Sequence, residues 1–388
     1  MINNMISIPV HEKTEVVIDQ IINYKFFCPN CGIVLHISKG FDYKNSFHNE
    51  KEFMFILATF ENVFVNPEHF DTNFADIVHT HISNFEYISK IVDFEYFSLA
   101  SSNDLFVRNM PEIKNCDVNF DYTIKVFRLP NWVYYNHALK DKYLHDILSY
   151  FGGTISDIKN SQIEGSSYKK EIFQEIARVI NKFYRYKEVV HQERIIYPRE
   201  EVYYQTVAYN LNKEFINKKS NYTFVAWNHH ELFPTLQEIH DIANGRVSGK
   251  YSVKRVLRNI NDPVRFTIGN FIGNYRTQTL ETIKIRLEKV YRNFFNAVSS
   301  RRRIFIGSKE NLRYIAELFK IKTTETFIEY QLDDKNQIRT DIIISNMNNN
   351  CDALFVICSR FYPVIADILI QNGFRENIDF IDGYLLMG

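Results

Sequence analysis

"MISIPVHEKTEVVIDQIINYKFFCPNCGIVLHIS", residues 5–38, contains two short apolar runs on either side of a longer segment. The runs "MISIPV" and "IVLHIS" have the length and apolar character of buried strands. Between them, the segment "EKTEVVIDQIINY" carries Val16, Val17, Ile21 and Ile22 near helical spacing. A strand, a helix and a second strand in this order predict a parallel pair of strands joined by a helix, which is the repeating unit of α/β proteins.

The same alternation continues through residues 39–110. The runs "NVFVNP" and "FEYFSLASSNDLFV" indicate two further strands, the second of which ends in a polar turn, and "ADIVHTHISNFEYISKIV" indicates a helix. We therefore expect a mostly parallel sheet with helices on its faces. Ligands of such sheets bind outside the carboxyl ends of the strands. The first candidates for a binding site are therefore His11, Ser38 and residues 101–104.

Cys28 and Cys31 form a C-x-x-C pair that allows three interpretations: half of a zinc site, a redox pair, or a turn before a strand. Zinc takes four ligands, and the other cysteines do not supply a second pair. They are Cys116, Cys351 and Cys358, of which the last two flank a predicted strand. A redox pair favours the start of a helix, whereas Gly32 and an apolar run follow here. The pattern favours a Pro-Asn turn that leads into a core strand.

The composition excludes some classes of protein. Lysine plus arginine and aspartate plus glutamate both total 46, so the formal net charge is zero and no global field favours nucleic acid. Five cysteines in 388 residues are typical of a reducing compartment. We see neither a signal peptide nor an apolar run long enough for a membrane span, and we expect a cytoplasmic protein, with attachment to the inner face of the membrane left open. The oligomeric state is open as well.

The sequence pattern after residue 275 indicates how the chain divides into domains. Residues 276–300 place apolar residues on one stripe, which predicts an amphipathic connecting helix. After it, "IFIGS", "TDIIIS", "DALFVICS" and "FIDGYLLMG" suggest strands, and "KENLRYIAELF" and "FYPVIADILIQNG" suggest helices. We expect a main domain over 1–275, the connector over 276–300 and a small Rossmann-like α/β domain over 301–388 with a scaffolding or partner-binding role. Its first turn, at Gly307, lacks the glycine spacing of a dinucleotide site.

The stretch "YPREEVYYQTVAYNL" predicts a helix with acidic residues in its first turn. Pro198 and the carboxylates of Glu200 and Glu201 are what the positive end of a helix dipole favours. A loop and another helix, "EGSSYKKEIF", precede it. Each feature alone is ordinary.

Together, "EGSSYKKEIF…YPREEVYYQTVA" resembles the core of the core-2/I-branching β1,6-N-acetylglucosaminyltransferase and peptide xylosyltransferase family, glycosyltransferase family 14, with this chain as a bacterial-type member. In that family a "GSxY" loop precedes an acidic pair whose second member is the catalytic base. The resemblance implies that Glu201 is the base.

Four more stretches over residues 5–268 match the family in the same order. "SIPVHEK" resembles its strand-to-helix turn at the uridine pocket, which implicates Val10 and His11. "IVLHIS" resembles a core strand, with Ser38 where the family has an aspartate. "YFSLASSNDLFVR" places Asp104 under a family aspartate, and "GKYSVKRVLRNINDPVR" places Lys254 under the lysine that holds the donor pyrophosphate.

The resemblance implies a GT-A-like nucleotide-sugar transferase domain, a mixed Rossmann-like sheet with helices on both faces. The implied donor-binding residues are Val10, His11, Ser38, Lys254, Arg255 and Arg258. The implied sugar or acceptor pocket comprises Ser102, Asn103, Asp104, Glu164, Gly165, Ser166, Tyr168 and Glu200. Whether His229 or His230 replaces the second basic residue that the family uses on the phosphates is left open. In an extended segment Lys254 and Arg258 would share a face and Arg255 would point away.

The implied activity is inverting transfer of a sugar from a UDP-sugar, UDP-GlcNAc or a relative, to a hydroxyl of a glycan or lipid-linked saccharide. We find no Asp-x-Asp for a divalent metal, because Asp104 is followed by Leu-Phe and the pair Asp333 and Asp334 lies in the C-terminal segment. We therefore expect no metal cofactor, with cationic side chains acting on the diphosphate instead. The alternatives are a non-catalytic nucleotide-sugar or glycan-binding protein of the same fold and a zinc or thiol-redox protein.

Overall fold

The computed structural model divides the chain into two compact units. One comprises Met1–Phe47 and Phe53–Arg276, and the other His48–Glu52 and Thr277–Gly388. The structure describes residues 2–11, 13–70, 72, 77–114, 118–119, 134–186, 197–212, 221–227, 233–297, 302–309, 311–313, 316, 326–329, 339–359, 362–376 and 378–383. The division into 1–275, 276–300 and 301–388 stays a prediction.

The helices and strands up to residue 272 alternate first and then become irregular. In chain order they are β1 (Ile2–Val10), α1 (Thr14–Phe27), β2 (Gly32–Ile37), α2 (Glu50–Ala58), β3 (Val63–Val65), α3 (Val78–Ile88), β4 (Phe94–Leu99), β5 (Leu105–Phe106), β6 (Val118–Asn119), α4 (Tyr135–Lys140), α5 (Lys142–Tyr150), a 3-10 turn (Ile155–Asp157), β7 (Ser167–Lys169), α6 (Lys170–Phe183), α7 (Glu200–Leu211), β8 (Thr223–Phe224), α8 (Leu236–Ala243), β9 (Ser252–Val253) and α9 (Pro263–Ile272).

Among the described residues, six strands form the main sheet in the order β3-β2-β1-β4-β7-β6. The first four are parallel, with Ser7 opposite both Val34 and Leu99, and β7 is antiparallel to β4 and to β6. This confirms the predicted mixed α/β class with a mostly parallel sheet. The apolar runs form strands because almost every residue of β1 and β2 is buried, which is what a strand covered on both faces requires.

The core of this unit lies between the sheet and helices α3, α6 and α7. Phe97 of β4 and Phe85 of α3 pack against Phe173 of α6, with ring centroids 4.6 and 5.0 Å away. A smaller sheet with the order β5-β9-β8 stands apart from the main one. It places the ends of β8 and β9 next to the turn that follows β4, where the candidate site lies.

The second unit contains a four-stranded parallel sheet in its described part. Its elements are α10 (Asn274–Ala297, which begins in the first unit), β10 (Arg303–Gly307), β11 (Thr326–Glu329), α11 (Thr340–Asn349), β12 (Leu354–Cys358), α12 (Tyr362–Gln371) and β13 (Phe380–Asp382). The strand order is β11-β10-β12-β13. Helices α11 and α12 pack against the face that carries Ile304, Ile306 and Ile357. Strand β11 was not predicted.

The prediction of a strand at "TDIIIS" is wrong, because this segment forms the first part of α11. Ile343 and Met347, four residues apart, are both buried in the core of the second unit. This spacing is helical, and the run of three isoleucines hides it, because Ile343 is buried whereas Ile342 and Ile344 are only partly buried.

Cys28 and Cys31 lie in the turn between α1 and β2. Cys28 ends α1, and the N–H of Cys31 donates to the carbonyl of Cys28 at 3.0 Å, so the predicted turn before a core strand is confirmed. The favoured interpretation treated the two cysteines only as part of a turn, whereas in the structure their sulfurs form a disulfide with Cα atoms 5.5 Å apart. Within the described part of the chain, no helix combines the length and the apolar character needed to cross a membrane.

Candidate functional site

Three carboxylates and one lysine from four parts of the chain meet beside the end of β4. Asp104 lies in the turn after β4, Glu164 in the loop before β7, Glu201 in the first turn of α7 and Lys254 directly after β9. The Lys254 ammonium forms an ion pair with Glu164 Oε1, and the charges of Asp104 and Glu201 also act on it. We call these four residues the carboxylate–lysine cluster.

Asp104 is fixed by the turn that contains it. The Ser101 N–H donates to Asp104 Oδ2 at 3.0 Å, and the Ser101 hydroxyl donates to Oδ1 at 2.7 Å. The side-chain amide of Gln20, on α1, donates to the carbonyls of Ser101 and Asp104 at 2.8 and 3.0 Å. The carboxyl group is buried as a result.

Glu164 is placed by a close crossing of two chain segments at Gly165. Gly165 has φ +78, and a Cβ atom there would lie 2.4 Å from the backbone nitrogen of Thr223. Its N–H donates to the Leu99 carbonyl at 2.8 Å, and its carbonyl accepts from Tyr222 at 3.1 Å. Glycine is required because both the left-handed backbone and the missing side chain are needed. The crossing holds Glu164 between the ends of β4 and β8.

Glu201 is placed by a buried ion pair just before α7. Arg199 Nε donates to Asp141 Oδ2 at 2.9 Å, and the hydroxyls of Tyr197 and Tyr203 donate to the same oxygen at 2.6 and 2.7 Å. Asp141 also accepts from the Tyr143 N–H and so caps α5. The start of α7, and with it the position of Glu201, is therefore tied to the start of α5.

Lys254 and Arg255 follow a short strand that turns instead of continuing. The Lys254 N–H donates to the Phe224 carbonyl at 2.9 Å, and Arg255 has φ +66, a left-handed conformation that is uncommon outside glycine. A continuously extended segment would place Lys254 and Arg258 on one face, but the left-handed turn at Arg255 interrupts it. The charge of Arg255 acts on Glu201, whereas Arg258 is exposed.

Two carboxyl groups of the cluster have pKa values near neutrality. Burial, together with the charge of Glu164, raises the pKa of Asp104 to about 7 against the opposing effect of Lys254. Burial and Glu164 likewise raise the pKa of Glu201 to about 7, opposed by Lys254 and Arg255. Burial acts to lower the pKa of Lys254, but its carboxylate neighbours outweigh burial and raise it. The cluster thus offers a cation next to a carboxyl group whose pKa is near 7, where general bases are most effective.

The structure brings together five of the residues implied by the family resemblance, namely Asp104, Glu164, Glu201, Lys254 and Arg255. Gly165 directly follows Glu164, and the buried residues Ser102 and Glu200 are sequence neighbours of Asp104 and Glu201. The carbonyl of Asn103 accepts from the Val256 N–H, and the Ser166 hydroxyl donates to the Ile163 carbonyl. Tyr168 lies in the core against Phe173. Val10 and Ser38 are adjacent at the carboxyl ends of β1 and β2, where the Ser38 N–H donates to the Val10 carbonyl at 2.8 Å, and His11 is exposed. His229 and His230 lie outside the described residues.

Sequence reasoning missed the residues that support the cluster. Arg199 directly precedes the acidic pair, and an arginine at a helix start, where the dipole disfavours it, was an available signal. Gln20 acts over a long sequence distance, and nothing local marks it. Asp141 is marked locally only as the cap of α5, whereas the side chains that bind it lie far along the chain. Among the described residues, no group of three histidine, cysteine, aspartate or glutamate side chains is arranged to hold a metal ion.

Comparisons with known proteins give distant likenesses only. No family model and no curated protein matches the sequence. A crystal structure of the galactosyltransferase LgtC in complex with donor and acceptor sugar analogues is 11% identical, covers 70% of this chain and 95% of its own, and has a TM-score of 0.37. The apo-form glycosyltransferase GlyE of Streptococcus pneumoniae TIGR4 is 8% identical, covers 98% of this chain and 80% of its own, and has a TM-score of 0.32. Likeness at TM-scores below 0.5 carries no argument about activity, so the functional conclusion depends on the site.

Proposed function

We propose that this protein is an inverting, metal-independent glycosyltransferase that moves a sugar from a UDP-sugar to a hydroxyl of a glycan or lipid-linked saccharide. The carboxylate–lysine cluster carries the proposal, because the Lys254 ammonium lies beside Glu201, whose pKa is about 7. Inverting transfer needs these two functions together: a base for the acceptor proton and positive charge for the departing diphosphate.

In the proposed reaction, Glu201 takes the proton of the acceptor hydroxyl while the oxygen of that hydroxyl attacks the anomeric carbon of the donor. The bond from that carbon to the phosphate oxygen breaks, and the electron pair leaves with the diphosphate. Lys254 and Arg255 meet the charge that develops there. The proton on Glu201 then passes to solvent, which restores the base.

We propose that the nucleoside binds at the carboxyl ends of β1 and β2, where Val10 and Ser38 lie side by side and His11 follows. This is the edge at which ligands of open α/β sheets bind. The role of these three residues comes from the family resemblance, and their adjacency supports it.

The test is a panel of nucleotide sugars screened with the full chain by thermal shift and by transfer to saccharide acceptors, with EDTA and with manganese. A ligand that binds the folded state raises the melting temperature, which identifies the donor before any acceptor is known. We expect a UDP-sugar to stabilise the protein and to be turned over in EDTA. Turnover that stops in EDTA and returns with manganese would contradict the metal-independent mechanism.

The same panel separates transfer from binding alone. A nucleotide-sugar-binding protein without activity would be stabilised by the UDP-sugar, would show neither transfer nor donor hydrolysis, and would keep its function in Glu201→Gln. That outcome would replace the transferase by the non-catalytic alternative.

A further inference from the structure

We propose that Glu164 is a positioning residue that competes with the donor diphosphate for the Lys254 ammonium, so that donor binding exchanges one anionic partner of Lys254 for another. The inference rests on the proposed function and assigns Glu164 a part in the order of substrate binding. The ion pair of Lys254 with Glu164 Oε1 lies in the centre of the carboxylate–lysine cluster, with side chains 18% and 5% exposed.

Two buried ion pairs near the site differ in how well their carboxylates are satisfied. Asp141 accepts from Arg199 and two tyrosine hydroxyls through Oδ2 and from a backbone N–H through Oδ1, so both of its oxygens have a donor. Glu164 uses Oε1 for Lys254, but its Oε2 is buried without a hydrogen-bond partner in the described part of the chain. A buried oxygen left in this way costs free energy. The Glu164 pair is therefore the one suited to exchange.

The exchange needs movement of side chains only. The backbone of Glu164 is held through its carbonyl, which accepts from Gln162 at 2.8 Å, and that of Lys254 through its bond to Phe224 at 2.9 Å. The lysine ammonium stands on a flexible four-carbon stem with rotatable donors, so it can turn from a carboxylate to a phosphate while the backbone stays in place. Its partial exposure lets a ligand from solvent reach it.

The charges favour this exchange and give it a direction. The single ammonium is shared among Asp104, Glu164 and Glu201, whereas a diphosphate brings more than one negative charge to it. Once Lys254 has turned to the diphosphate, both oxygens of Glu164 can accept hydrogen bonds from acceptor hydroxyls. Donor binding thus prepares the acceptor subsite, and the donor is expected to bind first.

The test is calorimetric titration of UDP into the full chain and into Glu164→Gln. Removing the competing carboxylate should tighten UDP binding about tenfold, close to the lower limit of the coupling energies measured for close charge pairs. At the same time kcat should fall, because the amide is a poorer acceptor for substrate hydroxyls. If Glu164 only held the fold, the substitution would weaken UDP binding and lower kcat together.

The pH profile of kcat/KM provides a second readout. The charges that act on Glu201 are Glu164, which raises its pKa, and Lys254 and Arg255, which lower it, while Asp104 shares Lys254 and Glu200 precedes Glu201 on α7. Glu164→Gln should therefore move the acid limb of the profile to lower pH by roughly one unit.

Glu175→Gln is the matched control, because Glu175 pairs with Arg178 at 2.8 Å on the exposed face of α6 and gives the same change in net charge. It should alter neither UDP affinity nor the acid limb. If Glu164→Gln melts at the same temperature as the parent but binds UDP equally or more weakly, the competition is wrong. Should the glutamine variant not fold, Glu164→Asp, whose shorter side chain withdraws the charge from Lys254, must still tighten UDP binding. Failure of the parent protein to bind UDP at all overturns the proposed function, a result distinct from equal binding to parent and variant.

Discussion

Glu201 and Lys254 should give different kinetic signatures when each is replaced. Glu201→Gln keeps the shape of the side chain and changes the helix-dipole contribution by only about 0.3–1 kcal/mol, so the protein should fold normally. Turnover should fall roughly 10²–10⁴-fold, the usual contribution of a positioned base. UDP affinity, measured by calorimetry, should hardly change. Near-normal transfer by this variant would remove Glu201 as the base and leave Glu200 or Asp104 as the next carboxylate to test.

Lys254→Ala should weaken UDP binding as well as slow transfer. Its charge would act on the diphosphate both when bound and when departing, so Kd and kcat should change together. The measurement is the same titration followed by steady-state kinetics. An unchanged Kd for UDP would show that Lys254 does not contact the diphosphate.

At the scale of single residues, motif order predicted residues that the structure brings together, but not the contacts that hold them. Glu201, Lys254 and Asp104 lie in short stretches with a recognisable local pattern, and the structure brings them together. Gly165 was predicted as part of the pocket. Glycine is required there because the chain passes close to Thr223, and no local sequence pattern reveals this crossing. Asp141 could not be found at all, since its partners follow it by 56 to 62 residues.

At the scale of helices, the ion pair of Arg199 with Asp141 should dominate the stability of the region around α5 and α7. Asp141→Asn leaves the buried guanidinium without a charged partner, which usually costs about 3–5 kcal/mol. The midpoint of urea unfolding should fall accordingly. Asp241→Asn, which breaks an exposed pair with Arg246 at 2.8 Å, should cost less than about 1 kcal/mol. Equal effects of the two variants would show that burial of the pair does not matter.

Element types followed from the period of apolar residues wherever one face is buried. Strands β1, β2, β4, β10 and β12 were predicted because continuous apolar runs of this length fit covered strands. The same rule failed for "TDIIIS", because a run of isoleucines satisfies either period and only packing of Ile343 and Met347 decides between them. The apolar period carries no information about Arg255, whose left-handed backbone occurs without a glycine.

At the scale of the whole molecule, three buried histidines should make the fold sensitive to acid. Burial lowers the pKa of His36 and His79 to about 4 and that of His81 to about 3. A neighbouring charge adds to this effect in each case: His69 at His36, Arg199 at His79 and His36 at His81. At His36 the charge of Glu68 acts against it. The unfolded chain binds these protons near pH 6.5, so their stabilising contribution is complete above that pH and is lost as the pH falls towards 4. Each histidine accounts for on the order of 3 kcal/mol across this window.

The raised pKa values of Asp104 and Glu201 act in the opposite direction, since the folded state keeps their protons at a pH where the unfolded state releases them. A matched variant therefore isolates the histidine effect. His81→Asn removes the group whose Nδ1 lies 2.8 Å from the Ser7 hydroxyl. Urea unfolding at pH 7.5 and pH 5 should show a smaller loss of stability for this variant than for the parent chain. An identical loss in both proteins would mean that His81 does not contribute.

The order of the carboxylate–lysine cluster along the chain has a consequence for how the protein is made. Asp104, Glu164 and Glu201 leave the ribosome before Lys254, so for that interval the nascent chain holds three acidic groups without the cation that the finished site places among them. Like charges in a poorly solvated site repel one another, which keeps this region open until the strand ahead of Lys254 has paired. The cluster is therefore complete only after Lys254 has been synthesised, and α9 of the same unit follows it along the chain.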